Sequence, residues 1–270
     1  MTPAAYPRAG RGDRGPLGSK TRVRQEAVTP AAYPRAGRGD RGLPLKTIPV
    51  HPMKQAELLT LERHISPERL APYRAATAND LMRAVRLYET NTELSAAFWV
   101  VLCDLEILIR NAMHDKLTAW STARYGRPGW YLDHGNVFNE RTINDIEVAR
   151  RHLAGNGRPE TPGRVVAELP LGFWRFLLSG RYERSLWLPC LRGAFPGIEG
   201  RGMRRDVHDA MRELHLLRNR IAHHEPIHNR PLSRLHDLAL TTAGWVCPVT
   251  QQWMAARSRV PTLLVTERPT

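Results

Sequence analysis

The sequence predicts an all-α protein, and three observations carry that prediction. From residue 53 onward apolar residues recur at helical spacing nearly everywhere; no run of β-branched residues alternates with polar ones; and the apolar segments are punctuated by Gly- and Pro-bearing turns. With 270 residues, 42% of them apolar, the chain has enough apolar side chain to fill a core.

The helices follow in order. The first is expected at 54–63, where Met53 opens the globular patterning, and the next at 78–90 and 92–121. The third contains the longest apolar run, Leu94–Ile109, thirteen apolar residues in sixteen. Asp104 and Glu106 interrupt that run, and it falls short of the roughly 18 residues needed to cross a bilayer, so no membrane span is expected. The turn Gly126-Arg-Pro-Gly129 closes this helix, Gly155-Asn-Gly157 closes a helix at 138–154, and Phe195-Pro-Gly197 follows helices at 162–179 and 182–193. Pro226 bounds a helix at 203–225, and Pro248 interrupts the last, at 232–257.

Forty basic against twenty-six acidic residues give a net charge of +14, which fits an anionic partner such as nucleic acid or an acidic membrane surface, and charge alone does not choose between them. Residues 1–48 hold ten Lys or Arg and three acids, a net of +7, so half of the excess lies in a short tail. That tail repeats TPAAYPRAGRGDRG at 2–15 and 29–42, and its Pro, Gly and Arg content cannot bury enough apolar surface to offset ordering entropy. Residues 1–52 are therefore expected to be a disordered, solvated tail, with an Arg/Gly-rich segment that holds RNA by charge as the functional alternative, and 53–270 a single all-α domain. Cys103, Cys190 and Cys247 are odd in number, far apart and set in apolar stretches, so they read as small buried residues of a cytoplasmic protein. The absence of a signal-peptide apolar core fits the same compartment.

Two helices carry polar groups where a plain core helix would not. Glu106, Arg110 and His114 are spaced i, i+4, i+8 and form one stripe on an otherwise apolar helix, readable as an intrahelical Glu–Arg pair or as support for a site. On a wheel with Val207 at zero, Ala210, Met211, Leu214, Leu217 and Ile221 fall within about 80° on one face, and Arg218 lands inside it at about 20°. A guanidinium placed there needs a carboxylate, a phosphate or a partner subunit. His208, Arg212, His215, Asn219 and His223 line the flank at about 80–160°. Pro226 puts His223 and His224 in the last turn, where the helix macrodipole favours imidazolium and suits them to acid–base exchange.

His224-Glu225-Pro226-Ile227-His228 also spells H-E-x-x-H, the zinc-protease pattern. That pattern needs both histidines one turn apart on a continuous helix, and Pro226 at its centre removes the helical path, so no metal is expected.

The block Leu217-Arg-Asn-Arg-Ile-Ala-His-His-Glu-Pro-Ile227 resembles the RN-xx-AHHEPI signature of the Abi-like (abortive infection) family, a branch of the HEPN superfamily with the general motif R-x4-6-H. Four residues separate Arg218 from His223 and five separate it from His224, which meets that spacing. Leu105-Glu-Ile-Leu-Ile-Arg-Asn-Ala-Met113 is similar to the family's other marked helix, with Glu106, Arg110 and Asn111 in the matching places. Phe173-Trp-Arg-Phe-Leu-Leu-Ser179 resembles the region between them, and the likeness covers about residues 55–255.

The resemblance implies an all-α fold bearing a metal-independent endoribonuclease site, commonly completed by dimerisation, in a toxin-like defence protein. Such cleavage needs a base for the 2′-hydroxyl proton, an acid for the leaving 5′-oxygen and a cation for the phosphorane. His223 and His224 are the candidates for proton transfer, Arg218 for the phosphate fork, Asn219 for a neutral donor, and Glu106, Arg110 and Asn111 for support. Arg218 and His223 stand about 140° apart on the wheel, so one regular helix does not bring them together. The implied partners are RNA, a second copy of the chain, and an antitoxin or guide RNA of unspecified identity; no cofactor enters. A non-catalytic RNA-binding module is the other reading, and a zinc hydrolase is disfavoured on geometry.

Overall fold

A computed structural model describes residues 53–200 and 203–265; the tail expected to be disordered, 1–52, lies outside the described residues. Within them the protein is a bundle of α-helices with no strand. The spine is α3, Leu81–Tyr125, 45 residues long and thus about 68 Å at 1.5 Å per residue. Asp80 caps it, its carboxylate accepting the Arg83 N–H at 3.0 Å, and Gly126 ends it in the left-handed region at φ 68°.

The sequence divides this spine into helices at 78–90 and 92–121, and the structure fuses them. The polar stretch between them is helical all the same, and its hydroxyls are satisfied within the helix: Thr90 Oγ1 donates to the Arg86 carbonyl at 3.0 Å and Thr92 Oγ1 to that of Tyr88 at 2.9 Å. Asn91, between them, is buried and serves a distant loop instead.

Two apolar clusters sit along the spine. Near its start, α1 (Gln55–Ile65) and α2 (Pro67–Ala76) pack Leu58, Leu70 and Tyr73 onto Ala84 and Val85. α2 is an element that the periodicity missed, although Ser66-Pro67 signals it: the Ser66 hydroxyl accepts the Arg69 N–H at 3.3 Å and Pro67 opens the first turn. From Leu94 onward the larger core gathers α3, α4 (Glu140–Gly155), α5 (Pro162–Glu168), α6 (Leu171–Leu177), α7 (Met203–Ala222), α8 (Leu232–Val246), α9 (Pro248–Arg257) and α10 (Val260–Leu264). Trp130 fills its middle, with the rings of Phe138 and Trp174 at centroid distances of 5.9 Å and that of Phe173 at 6.2 Å.

Three further boundaries differ from expectation, each at a proline or a cap. The helix expected at 162–179 breaks into α5 and α6 because Pro170 holds Leu169 extended at ψ 123°. The segment expected as a helix at 182–193 is a chain of tight turns around Pro189: a 3₁₀ turn to Tyr182, a π turn at Glu183–Trp187 and a 3₁₀ turn at Leu191–Ala194. The helix expected to reach 225 stops at Ala222. The expected interruption at Pro248 separates α8 from α9. The three cysteines are free and half-buried rather than fully enclosed.

Candidate active site at the end of α7

The apolar face of α7 packs as its sequence requires: Val207, Ala210, Met211, Leu214, Leu217 and Ile221 are all buried. The helix then ends in a Schellman motif. The His224 N–H bonds the Ile221 carbonyl at 3.0 Å and the Glu225 N–H bonds that of Arg220 at 2.8 Å, the 5→2 and 6→1 pair that defines it. This puts His223 at the cap and His224 at the left-handed position, φ 56°, where glycine is the usual residue. The apolar contact that often closes such a motif is ionic here, Arg220 Nη2 to Glu225 Oε2 at 3.3 Å.

The segment beyond is fastened on three sides. Arg69 of α2 donates to the His224 carbonyl at 2.6 Å. The buried Asn91 amide oxygen accepts both the Ile227 N–H at 2.7 Å and the His228 N–H at 3.1 Å. Ile227 is fully buried, and the His228 ring lies against Tyr73 at 5.1 Å between centroids. Burial holds the His228 pKa below the usual imidazole value and pushes the Tyr73 phenol up to about 12. His223 and His224 themselves project from this fastened turn and are exposed.

The H-E-x-x-H residues separate accordingly. His228 faces Tyr73, Glu225 pairs with Arg220 and His224 sits in the left-handed turn, so they do not present the one-turn spacing a zinc site needs.

Arg218 and Asn219 face different ways. Arg218 is half-buried, its guanidinium 5.4 Å from the ring centre of Trp99 on α3. Its Nε is buried without a hydrogen-bond partner among the described residues. Asn219 lines a cleft of about 400 Å³ between α7 and the start of α8, with Arg220, Arg230, Arg234 and Glu213 around it. Arg234 pairs with Glu213, which leaves Arg230 as an exposed cation at the cleft.

The supporting stripe on α3 is only partly assembled. Glu106 forms no ion pair with Arg110 or Arg218 among the described residues. Glu106 and Arg218 share a neighbourhood all the same: burial, then Glu106 and Asp104, raise the pKa of the Cys103 thiol, and Arg218 opposes them. Arg110 has a buried Nε without a hydrogen-bond partner among the described residues. Asn111 is exposed in a hollow between α3 and α9, beside Asp104, Asp115 and Trp253, so the structure does not bring it to the end of α7. His114 is a core group: its Nδ1 accepts the Trp130 indole N–H at 2.9 Å, and burial lowers its pKa, which leaves the ring neutral with its proton on Nε2.

Sequence reasoning missed Arg69, Asn91 and Trp99. Asn91 had a signal, an amide flanked by apolar turns of a long helix; Arg69 and Trp99 act across elements and had none. Compared with known proteins, the chain matches no family model, no curated protein and no solved structure.

Proposed function

We propose that the protein is a metal-independent endoribonuclease of the HEPN type, acting as a toxin-like defence protein in the cytoplasm. The observation that carries this reading is the construction of the α7 end. Two adjacent histidines are held exposed on a strained, three-point-fastened turn, and the arginine about one turn before them has no carboxylate partner among the described residues. A non-glycine residue in the left-handed region costs about 1–2 kcal/mol, a strain that persists where the surroundings over-determine it. Histidine supplies the acid and base for 2′-hydroxyl attack, and Arg218 the fork for the phosphorane oxygens.

Arg218 points toward Trp99 while the histidines leave the helix about 140° away on the wheel, so the reading includes a second copy of the chain that completes the site. Large apolar groups exposed on both sides of α7 support that: Trp99 beside Arg218 is 38% exposed and Leu216 at the Asn219 cleft 57%.

The test is incubation of wild type and His223→Ala/His224→Ala with total RNA in EDTA. Wild type cleaves and the double variant does not. His224→Gly sharpens it: the glycine relieves the left-handed strain, so the variant melts at or above the wild-type temperature, while cleavage falls if His224 transfers a proton. RNA binding without cleavage by wild type would leave the non-catalytic RNA-binding module in its place.

A further inference from the structure

Away from the motif, α4, α6 and α7 bring together arginines that have no carboxylate partner among the described residues. Gly172 and Arg175 are one turn apart on α6, and His215 and Arg212 one turn apart on α7. Gly172 lets the helices close: a side chain there would meet the His215 ring, with Cβ 3.0 Å from Cε1. Arg175, one turn beyond that contact, lies close enough to Arg141 and Arg212 to feel their charge, and its Nε is buried without a hydrogen-bond partner among the described residues. From the first turn of α4, Arg141 lies over Phe176, the neighbour of Arg175, with its guanidinium 4.4 Å from the ring centre. Among the described residues none of Arg141, Arg175 and Arg212 has a carboxylate within 4.0 Å. Other arginines of the domain do pair, as Arg204 with Glu183 and Arg257 with Asp104.

We propose that Arg141, Arg175, Arg212 and His215 form a phosphate-holding surface that seats the backbone of single-stranded RNA beside α7. Placing this surface ahead of the cleavage site rests on the ribonuclease reading. Arg212, His215 and Arg218 are spaced i, i+3, i+6, one ridge of α7 about 9 Å long, so a strand held at Arg212 is led along the helix to Arg218. The cluster's own electrostatics agree: burial, then Arg141 and Arg212, depress the Arg175 pKa, and burial, then Arg175 and Arg218, depress that of His215. Such mutual repulsion is relieved when a phosphate sits among the guanidinium groups, and Arg is the side chain that meets phosphate oxygens two at a time.

The experiment measures binding of a fully 2′-O-methylated RNA oligonucleotide, which lacks the attacking hydroxyl and stays intact, to the full chain at several salt concentrations. Arg141→Gln/Arg212→Gln removes two exposed cations, and a control, Arg63→Gln/Arg83→Gln, removes two exposed cations from α1 and α3. The cluster variant is expected to bind about tenfold more weakly, with a salt slope shallower by about 1.4, two phosphate contacts at about 0.7 each. With unmodified RNA its KM rises and its kcat holds. Arg175→Gln loses affinity likewise, and Arg175→Lys recovers part of it. Unchanged affinity in the cluster variant, an equal loss in the control, or no binding by wild type overturns the proposal. If wild type binds the oligonucleotide but leaves unmodified RNA intact, and the cluster variant still loses affinity, the surface stands and the ribonuclease reading falls.

Discussion

Arg218 is the residue on which the site turns. Its place on the apolar face of α7 was legible from the wheel, and half-burial agrees with it. Its partner was not legible, because Trp99 belongs to another helix and meets Arg218 only through the packing of α7 on α3. Had Arg218 paired with Glu106, its removal would strand a half-buried carboxylate and lower stability, by roughly 3 kcal/mol at the fully buried limit. No such pair forms among the described residues, so the contact that Arg218→Ala forfeits is the cation–π contact with Trp99, of the order of 0.5–1 kcal/mol. RNA cleavage should nevertheless fall by about 10²–10³-fold, the usual cost of deleting one preorganised charge stabiliser. Thermal melts beside initial cleavage rates check both halves. A melting loss of more than about 5 °C, or full activity, contradicts the assignment.

At the scale of elements, prolines and polar insertions decided what the sequence disclosed. Helical periodicity located α3, α4, α7 and α8, because each has a buried face long enough to repeat. It failed where a break is chemical rather than periodic: Leu169-Pro170 divides one expected helix, and Ser66-Pro67 starts one that was not expected. It also failed at Thr90-Asn91-Thr92, a polar stretch that resembles a break in one dimension and is a junction in three. Asn91 ties the spine to the turn that carries His223 and His224, its oxygen accepting two backbone N–H groups in a buried setting. Asn91→Ala strands those donors, each at about 1–3 kcal/mol, so urea unfolding should show a loss of about 2–4 kcal/mol. The freed loop should also expose Ile227 and blunt cleavage even below the denaturation midpoint. A variant with an unchanged midpoint would mean that the turn holds itself.

At the scale of the whole molecule, four histidines on different elements, His114, His215, His228 and His236, share one condition. Burial is the first cause that depresses the pKa of each, and Arg175 and Arg218 add to it at His215. Two of the rings are tied into the fold: His114 Nδ1 accepts the Trp130 indole N–H, and His236 Nε2 lies 2.8 Å from the Ser258 hydroxyl, with the Asp237 carboxylate 4.0 Å from its Nδ1 working against burial. The unfolded chain takes up protons at these rings near the ordinary imidazole pKa of about 6.5, whereas the folded chain resists until lower pH. The unfolded state then binds more protons, so the stability these groups contribute is complete above about pH 6.5 and is lost as pH falls through the depressed folded values. Melting temperature is therefore expected to hold from pH 8 to 7 and to drop between pH 6.5 and 5. His236→Gln removes one titrating ring and keeps a polar group for Ser258, so its slope over that range should be shallower by at most one proton, about 1.4 kcal/mol per pH unit. Parallel curves for wild type and variant would show that His236 charges as readily in the fold as outside it.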